Sequence, residues 1–186
     1  MWLEWLTSVS ALVVSVSSIF IAVHNGHDAD KMVKAQSYPY LDLGRSDSTL
    51  DGKPRLSVDL INRGVGPAHE ESFRIKSGSR YATSLDELIA GAVGPADSKA
   101  ARTALDPLTN GLVTRFIPAN GSQFIFQMNR TKANARWWDM VDKSSRAWSL
   151  EVCYCSVFDE CWSRVGQAAP RPVKACSRDE ATEFRN

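Results

Sequence analysis

An uncharged apolar segment, residues 6–23, constrains the fold of this chain more than any other feature. At about 1.5 Å per residue, a helix of this length with Trp2 and Trp5 in front of it reaches across a hydrocarbon core about 30 Å thick. Tryptophan is enriched at membrane interfaces. Only Glu4 and the amino group supply charge before the segment, whereas a cleavable signal peptide begins with a positive region. We therefore expect residues 1–24 to form a retained single-pass anchor and not the buried helix of a soluble core.

Small residues recur at every third or fourth position along this predicted helix. The small-residue stripe consists of Ser8, Ala11, Ser15, Ser18 and Ala22. Small side chains let two helices approach closely, and serine hydroxyls can hydrogen-bond between helices where no water competes. The heptad-like spacing favours left-handed packing against a second copy. Serine also bonds back to its own helix, and the stripe then faces lipid. We expect self-association through the stripe, and hence a homo-oligomer.

The rest of the chain has the length of one domain and a balanced charge. We expect a polar stalk over residues 25–37, a β-rich domain over residues 38–178 and a polar tail over residues 179–186. Lys and Arg number 22 and Asp and Glu number 21, so no overall field attracts nucleic acid. Lys31 and Lys34 follow the anchor, and the positive-inside rule then favours the cytoplasmic side of an inner membrane. Clustered cysteines favour an oxidising exterior instead. The sequence leans toward the cytoplasm.

Alternation of apolar and polar residues predicts β-strands after residue 38. Leu56, Val58 and Leu60 alternate with residues that would face outward, which is typical of a strand with one buried face. The other predicted strands cover residues 40–43, 69–76, 112–117, 122–128 and 148–154. Residues 62–68 form a glycine-rich bend, and the Asn-Gly pair within residues 118–121 predicts a hairpin.

Three segments together resemble bacterial membrane-anchored proteins in which an immunoglobulin-like β-sandwich follows an N-terminal anchor. The segments are Tyr38-Pro39-Tyr40-Leu41, Asn62-Arg63-Gly64-Val65-Gly66-Pro67-Ala68 and Ile117-Pro118-Ala119-Asn120-Gly121. The resemblance implies a mainly β fold: a transmembrane helix followed by an immunoglobulin-like sandwich with one or two short helices. It carries over no activity and no site residues.

Two helices are predicted within the domain. A capping box at residues 84–87 begins a helix over residues 85–92, and the connection after it is a long loop or a second helical turn near residues 99–105. Residues 131–142 form a basic amphipathic helix that bears two tryptophans. Such a helix rests on anionic lipid or receives an acidic partner, unless Trp137 packs against the sheet. Trp138 lies on another face, and we expect Arg136 and Trp138 to form a partner surface.

Four cysteines, Cys153, Cys155, Cys161 and Cys176, leave three interpretations open. Alternation on the last long strand places Cys153 and Cys155 on the face opposite the apolar residues. A three-residue turn would then set Val157 opposite Cys161 and keep Cys161 on the cysteine face. Disulfides would pair Cys153 and Cys155 with Cys161 and Cys176. Four thiolates would hold a zinc ion, although Cys-x-Cys is not the usual zinc knuckle. Free structural thiols are the third interpretation.

Few residues suit catalysis. His69 is the only histidine outside the juxtamembrane segment, and no Gly-x-Ser-x-Gly or His-Glu-x-x-His motif occurs. A nucleophile pair of His69 with a hairpin cysteine has no support from spacing. We predict a protein that is not an enzyme and needs no cofactor: a membrane-anchored interaction or ligand-sensing module for an unknown protein or small molecule. The alternative is a membrane-perturbing effector whose oligomeric transmembrane helices respond to ligand binding at the β domain.

Overall fold

The apolar segment belongs to one long helix, α1 (Trp2–Gln36). Residues 7–36 of α1 are long and apolar enough to cross a membrane, with a mean hydropathy of 1.8 and no buried side chain in the most apolar window. The helix continues through Gly26 into the predicted stalk. There Lys34 pairs with Asp30 one turn earlier, an arrangement that supports a solvated helix.

The chain divides into two units, Met1–Ser37 and Tyr38–Asn186. The structure is a computed structural model that describes residues 2–48, 52–110 and 115–185. Within these residues, the second unit consists of β1 (Leu41–Ser48), β2 (Pro54–Asn62), β3 (Ala68–Ser77), β4 (Arg80–Ala82), α2 (Leu85–Val93), α3 (Ser98–Leu105), β5 (Leu108–Thr109), β6 (Arg115–Ile117), β7 (Ser122–Asn129), α4 (Ala135–Ser145), β8 (Trp148–Cys155), β9 (Cys161–Val165) and β10 (Arg171–Val173).

The strands form two antiparallel sheets. The four-stranded sheet has the order β1-β2-β7-β5, and the six-stranded sheet has the order β10-β9-β8-β3-β4, with β6 also paired to β3. The predicted mainly β class with a long apolar N-terminal helix is therefore confirmed. The second unit has three helices in its described part, against the one or two expected, and α3 occupies the segment for which the sequence left a second helical turn open.

One apolar core joins the two sheets. Leu56, Val58 and Leu60 of β2 are buried in it together with Phe73 and Ile75 of β3, and helix α2 adds apolar side chains to the same cluster. The alternation recognised in the sequence thus directs one face of each sheet inward. Each fully buried side chain of this size contributes about 1.5–3 kcal/mol.

The buried side chain of Asn62 connects three separate segments of the domain. Its Nδ2 group donates hydrogen bonds to the carbonyl oxygens of Gly66, at 2.8 Å, and Ile117, at 3.0 Å. Its Oδ1 atom accepts from the backbone N–H of Gly64, at 2.9 Å, and of Tyr40, at 3.2 Å. Both amide hydrogens and both acceptor positions are used. The start of β1, the β2–β3 bend and the end of β6 are therefore held to one buried amide.

Close backbone approach in the same region requires glycine at position 64. A Cβ atom on Gly64 would lie well inside van der Waals distance of the carbonyl oxygen of Tyr38 and of the amide nitrogen of Tyr40. Both neighbours are backbone atoms, which cannot rotate away as a side chain can. The bend therefore needs a residue without a Cβ at this point.

The turn over residues 118–121 joins the two sheets and does not form a hairpin. β6 before it pairs with β3 in the six-stranded sheet, whereas β7 after it pairs with β2 in the four-stranded sheet. The hairpin prediction is wrong because the Asn-Gly signal specifies the local turn and not the partner of each strand. The backbone N–H of Asn62 donates to the Gly121 carbonyl at 2.8 Å, which ties the crossing to β2. Residues 112–114 of the predicted strand lie outside the described residues.

The end of the chain is part of the domain. Phe184 is 1% exposed and Glu183 is 3% exposed, so the prediction of a polar tail over residues 179–186 is wrong. The N–H of Phe184 donates to the Phe73 carbonyl at 3.0 Å. The Glu183 carboxylate accepts from the Ser72 hydroxyl, at 2.6 Å, and from the Phe73 N–H, at 3.1 Å. Phe184 and Glu183 thus provide hydrogen-bond partners for the backbone N–H and C=O of Phe73, on the part of the β3 edge that neither β4 nor β6 covers.

Candidate functional site

A polar groove lies on the outer face of the four-stranded sheet. Its volume is about 750 Å³. The residues that line the groove are Ser46, Ser48, Arg55, Ser57, Asp59, Asn110, Ser122, Gln123, Phe124 and Gln127. Arg55, Ser57 and Asp59 alternate along β2 with the core residues Leu56, Val58 and Leu60, and Ser57 is itself only 9% exposed at the floor of the groove.

A β-bulge in β7 sets the aromatic side of the groove. Val58 pairs with Phe126, but the next residue, Asp59, pairs with Phe124, so Ile125 is an extra residue on β7. Ile125 and Phe126 are both fully buried. Because residues directly opposite in register share a face, the bulge places the half-buried ring of Phe124 beside Asp59 on the groove side.

Two hydrogen bonds organise the charged groups of the groove. The Ser57 hydroxyl donates to Oδ2 of Asp59 at 2.7 Å, and Nη1 of Arg55 donates to Oε1 of Gln127 at 2.9 Å. Burial raises the pKa of Asp59, and the Ser57 hydrogen bond and the Arg55 charge offset this only in part. No described residue donates a hydrogen bond to Oδ1 of Asp59. The groove therefore presents a half-buried carboxylate oxygen, a fixed guanidinium group and an aromatic ring.

The sequence contained part of this site, although the prediction missed it. Ser57 and Asp59 stood out as polar residues on a strand with an apolar opposite face. The neighbouring position of Phe124 and Gln127 depends on the β2–β7 register and its bulge. A sequence alone does not determine such long-range register.

The cysteines lie on the outer face of the six-stranded sheet and form two disulfides. Cys153 is bonded to Cys176, and Cys155 is bonded to Cys161. In register, Cys155 lies opposite Cys161, so the prediction that Val157 lies there is wrong. After the Cys155–Cys161 pair, the Ser156 N–H donates to the Glu160 carbonyl at 2.7 Å. The turn therefore consists of residues 157–159 and begins one residue earlier than predicted. The prediction of a shared cysteine face does not depend on this shift.

Three of the four sulfur atoms lie within 4.8 Å of one another: those of Cys155, Cys161 and Cys176. Such spacing is compatible with a metal site, but zinc binds thiolates, and here every cysteine is in a disulfide. A zinc site would therefore require the reduced protein.

His69 lies beside this cluster on the outer face. It is opposite Cys155 on one side and Phe116 on the other. Its ring stacks on Phe116 with 4.4 Å between centroids, and its Nδ1 atom lies 2.8 Å from a Glu71 carboxylate oxygen. The adjacent sulfur is in a disulfide, so the structure pairs His69 with no thiolate.

Helix α4 does not present the predicted partner surface. Trp138 is 6% exposed and its indole Nε1 donates to the Met128 carbonyl at 3.1 Å. The tryptophan expected to need a partner therefore has one inside the domain. Arg136 is exposed, and its guanidinium lies 4.6 Å from the ring centroid of Trp137, which packs against the core. The two residues thus belong to different faces, and Trp138 is wrong as a surface residue.

The small-residue stripe of α1 is exposed along its length. The hydroxyl of Ser15 donates to the Ala11 carbonyl at 2.7 Å, and that of Ser18 donates to the Val14 carbonyl at 2.8 Å. These serines therefore bond back to their own helix, which is the alternative to interhelical bonding. The stripe still offers small side chains for close packing.

Comparisons with protein-family models, with curated proteins and with solved structures give no match to this chain. Its function is therefore inferred from its own geometry.

Proposed function

We propose that this chain is a membrane-anchored, non-catalytic module that binds a small polar ligand in the groove of the four-stranded sheet. The observation that carries the proposal is the half-buried Asp59 carboxylate, whose Oδ1 atom accepts no hydrogen bond from a described residue, in a groove that also contains Phe124 and the Arg55–Gln127 pair. Ligand sites typically place a few convergent polar groups and an aromatic surface in one concavity.

The chemistry of the groove favours a polyhydroxylated ligand such as a saccharide. Sugar hydroxyls both donate and accept, and the lining offers carboxylate and amide acceptors together with guanidinium, amide and hydroxyl donors. The less polar face of a sugar ring can pack on the half-buried ring of Phe124. A dianionic ligand fits less well because Asp59 repels negative charge.

The strand order supports an immunoglobulin-like topology for the domain. In that fold one sheet has the strand order A-B-E-D and the other contains G-F-C. Here β1-β2-β7-β5 corresponds to the first set and β9-β8-β3 to the second, with β10, β4 and β6 added at the edges. The domain departs from antibody domains because its disulfides lie at one sheet and do not join the two.

We place the domain on an oxidising side of the membrane. Two disulfides are typical of exported domains. The opposing argument rests on Lys31 and Lys34 alone. Homo-oligomerisation through the stripe remains part of the proposal. No described feature favours the membrane-perturbing effector over passive association: the stripe hydroxyls of Ser15 and Ser18 donate to carbonyl groups of their own helix.

Ligand binding is tested with the full-length chain in detergent micelles. Neutral di- and trisaccharides are screened by saturation-transfer NMR, and hits are titrated calorimetrically. Asp59→Asn removes the charged acceptor, and a hydrogen bond to a charged group is worth about 1.5–3 kcal/mol, so affinity should fall roughly tenfold or more. Asp97→Asn, at the exposed start of α3, is the matched control. A panel without binders, or equal affinity in both variants, contradicts the proposal.

The anchor is tested by fractionation. Full-length chain should sediment with membranes and need detergent for extraction, because the apolar side chains of α1 are exposed. A chain that begins at Tyr38 should be soluble and folded by circular dichroism, since the second unit has its own core. Recovery of the full-length chain in the soluble fraction without detergent would rule out the anchor.

A further inference from the structure

The two disulfides lie close enough to exchange partners. Sγ of Cys155 and Sγ of Cys176 are 3.8 Å apart, although they belong to different disulfides. Cys161 completes the group within 4.8 Å. Neighbouring strands β8 and β9 place Cys155 and Cys161, whereas Cys176 comes from the segment after β10.

The two bonds differ in access to solvent. Cys155 is 7% exposed and Cys161 is 8% exposed, whereas Cys153 and Cys176 are both partly exposed. A thiol reagent therefore reaches the Cys153–Cys176 bond first, because exchange requires access to a sulfur atom. The buried bond is within reach of Cys176 from inside the protein.

We propose that the four cysteines form a thiol–disulfide exchange site whose substrate is an external dithiol, with Cys176 passing reduction from the outer bond to the buried Cys155–Cys161 bond. This proposal is independent of the ligand groove. It gives the cysteine face a chemistry that neither a zinc site nor an inert pair of disulfides would have.

The first step consumes the dithiol. Its first thiolate attacks the Cys153–Cys176 bond and forms a mixed disulfide, and its second thiol displaces the protein sulfur. The dithiol becomes a cyclic disulfide. Cys153 and Cys176 receive two electrons and two protons and become thiols. Cys176 is then no longer held to β8 and its side chain can rotate toward Cys155.

The second step moves the remaining disulfide without further electrons. The Cys176 thiolate attacks Sγ of Cys155, the Cys155–Cys176 bond forms, and the Cys155–Cys161 bond breaks. Cys161 leaves as a thiolate and takes the proton that Cys176 lost. The product has thiols on Cys153 and Cys161. The β8–β9 hairpin loses its cross-strand bond, and the attachment of the C-terminal segment moves two residues along β8, about 7 Å.

Wild-type full-length chain is treated with one equivalent of dithiothreitol, quenched in acid, alkylated and mapped by mass spectrometry without further reduction. Exchange predicts a Cys155–Cys176 peptide with alkylated Cys153 and Cys161. Alkylation confined to Cys153 and Cys176, or a mixture of only fully oxidised and fully reduced chains, overturns the proposal.

Single substitutions test the same step without added reductant. Cys153→Ser begins with a thiol on Cys176, and Cys161→Ser begins with a thiol on Cys155. Both variants should converge on a Cys155–Cys176 bond, with the thiol transferred to Cys161 and Cys153 respectively. Cys176→Ser is the matched control, because its thiol on Cys153 lies outside the sulfur group and should stay there. A thiol that stays on Cys176 and Cys155 in the first two variants, each checked for a native circular dichroism spectrum, contradicts the exchange.

Discussion

Phe184→Ala should destabilise the β domain strongly, although the residue lies within the last three of the chain. The ring is 1% exposed and contacts two other buried rings, with centroids 6.1 Å from Phe73 and 5.9 Å from Phe126. Truncation of a buried phenylalanine costs about 3–5 kcal/mol through lost transfer free energy and the cavity left behind. Domains have a total stability of about 5–15 kcal/mol, so a large share would be lost.

The melting temperature gives the clearest measurement. For a domain of about 150 residues, 1 kcal/mol corresponds to roughly 2–4 °C, so Phe184→Ala should lower the melting temperature by about 6–20 °C. Near-UV circular dichroism of the full-length chain follows the loss of aromatic packing. Phe116→Ala is the matched control, because its ring is 64% exposed and its stacking on His69 is worth about 1 kcal/mol. Equal shifts in the two variants, or no shift in Phe184→Ala, would refute burial of the chain end.

Three further predictions concern the bend, the groove and the anchor. Gly64→Ala should lower the free energy of unfolding, measured in urea, by about 3 kcal/mol, the upper end of the range for overpacking, because the new Cβ meets backbone atoms. Gly91→Ala is the control and should stabilise slightly, because Gly91 is in a helix and its Cβ would enter open space. Burial raises the pKa of Asp59 above 3.8, so the wild-type chain loses stability as pH rises from 3.8 through the raised pKa. Asp59→Asn has no such group, and its free energy of unfolding relative to wild type should therefore increase over the same pH range. A difference that does not change with pH contradicts this. Replacing Ser15 and Ser18 together by Leu should shift the full-length chain from oligomer toward monomer in detergent, as measured by light scattering, and an unchanged mass would exclude the stripe as the interface.

Local patterns in the sequence located most strands because burial of one face enforces a two-residue period. The limits of β2 and β8 differ from the predicted ones by a few residues at most. The same pattern does not specify which strands pair. The chain changes sheet between β6 and β7, where the sequence predicted a hairpin, and that choice depends on contacts far apart in the chain.

Errors at single residues share a related cause. Trp138 and Phe184 both lie in polar sequence surroundings, and their burial depends on partners from β7 and β3 that no local window contains. Likewise, the groove required the β7 bulge, which adds one residue without any proline or glycine to mark it. Local charge and polarity are therefore poor guides to exposure where a short segment fills an open sheet edge.

Asn62 explains why three weak signals in the sequence belong together. Tyr38-Pro39-Tyr40, the glycine-rich bend and the turn that begins after Ile117 are three segments that lie far apart in the chain. In the structure all three meet at one buried amide, and Gly64 permits the close approach. A buried asparagine with four hydrogen bonds holds irregular backbone where the chain passes from one sheet to the other, and unpaired backbone there would otherwise cost free energy. Asn62 and Gly64 thus hold together the backbone segments where the chain changes sheet, whereas the alternating apolar residues account for the strands on either side.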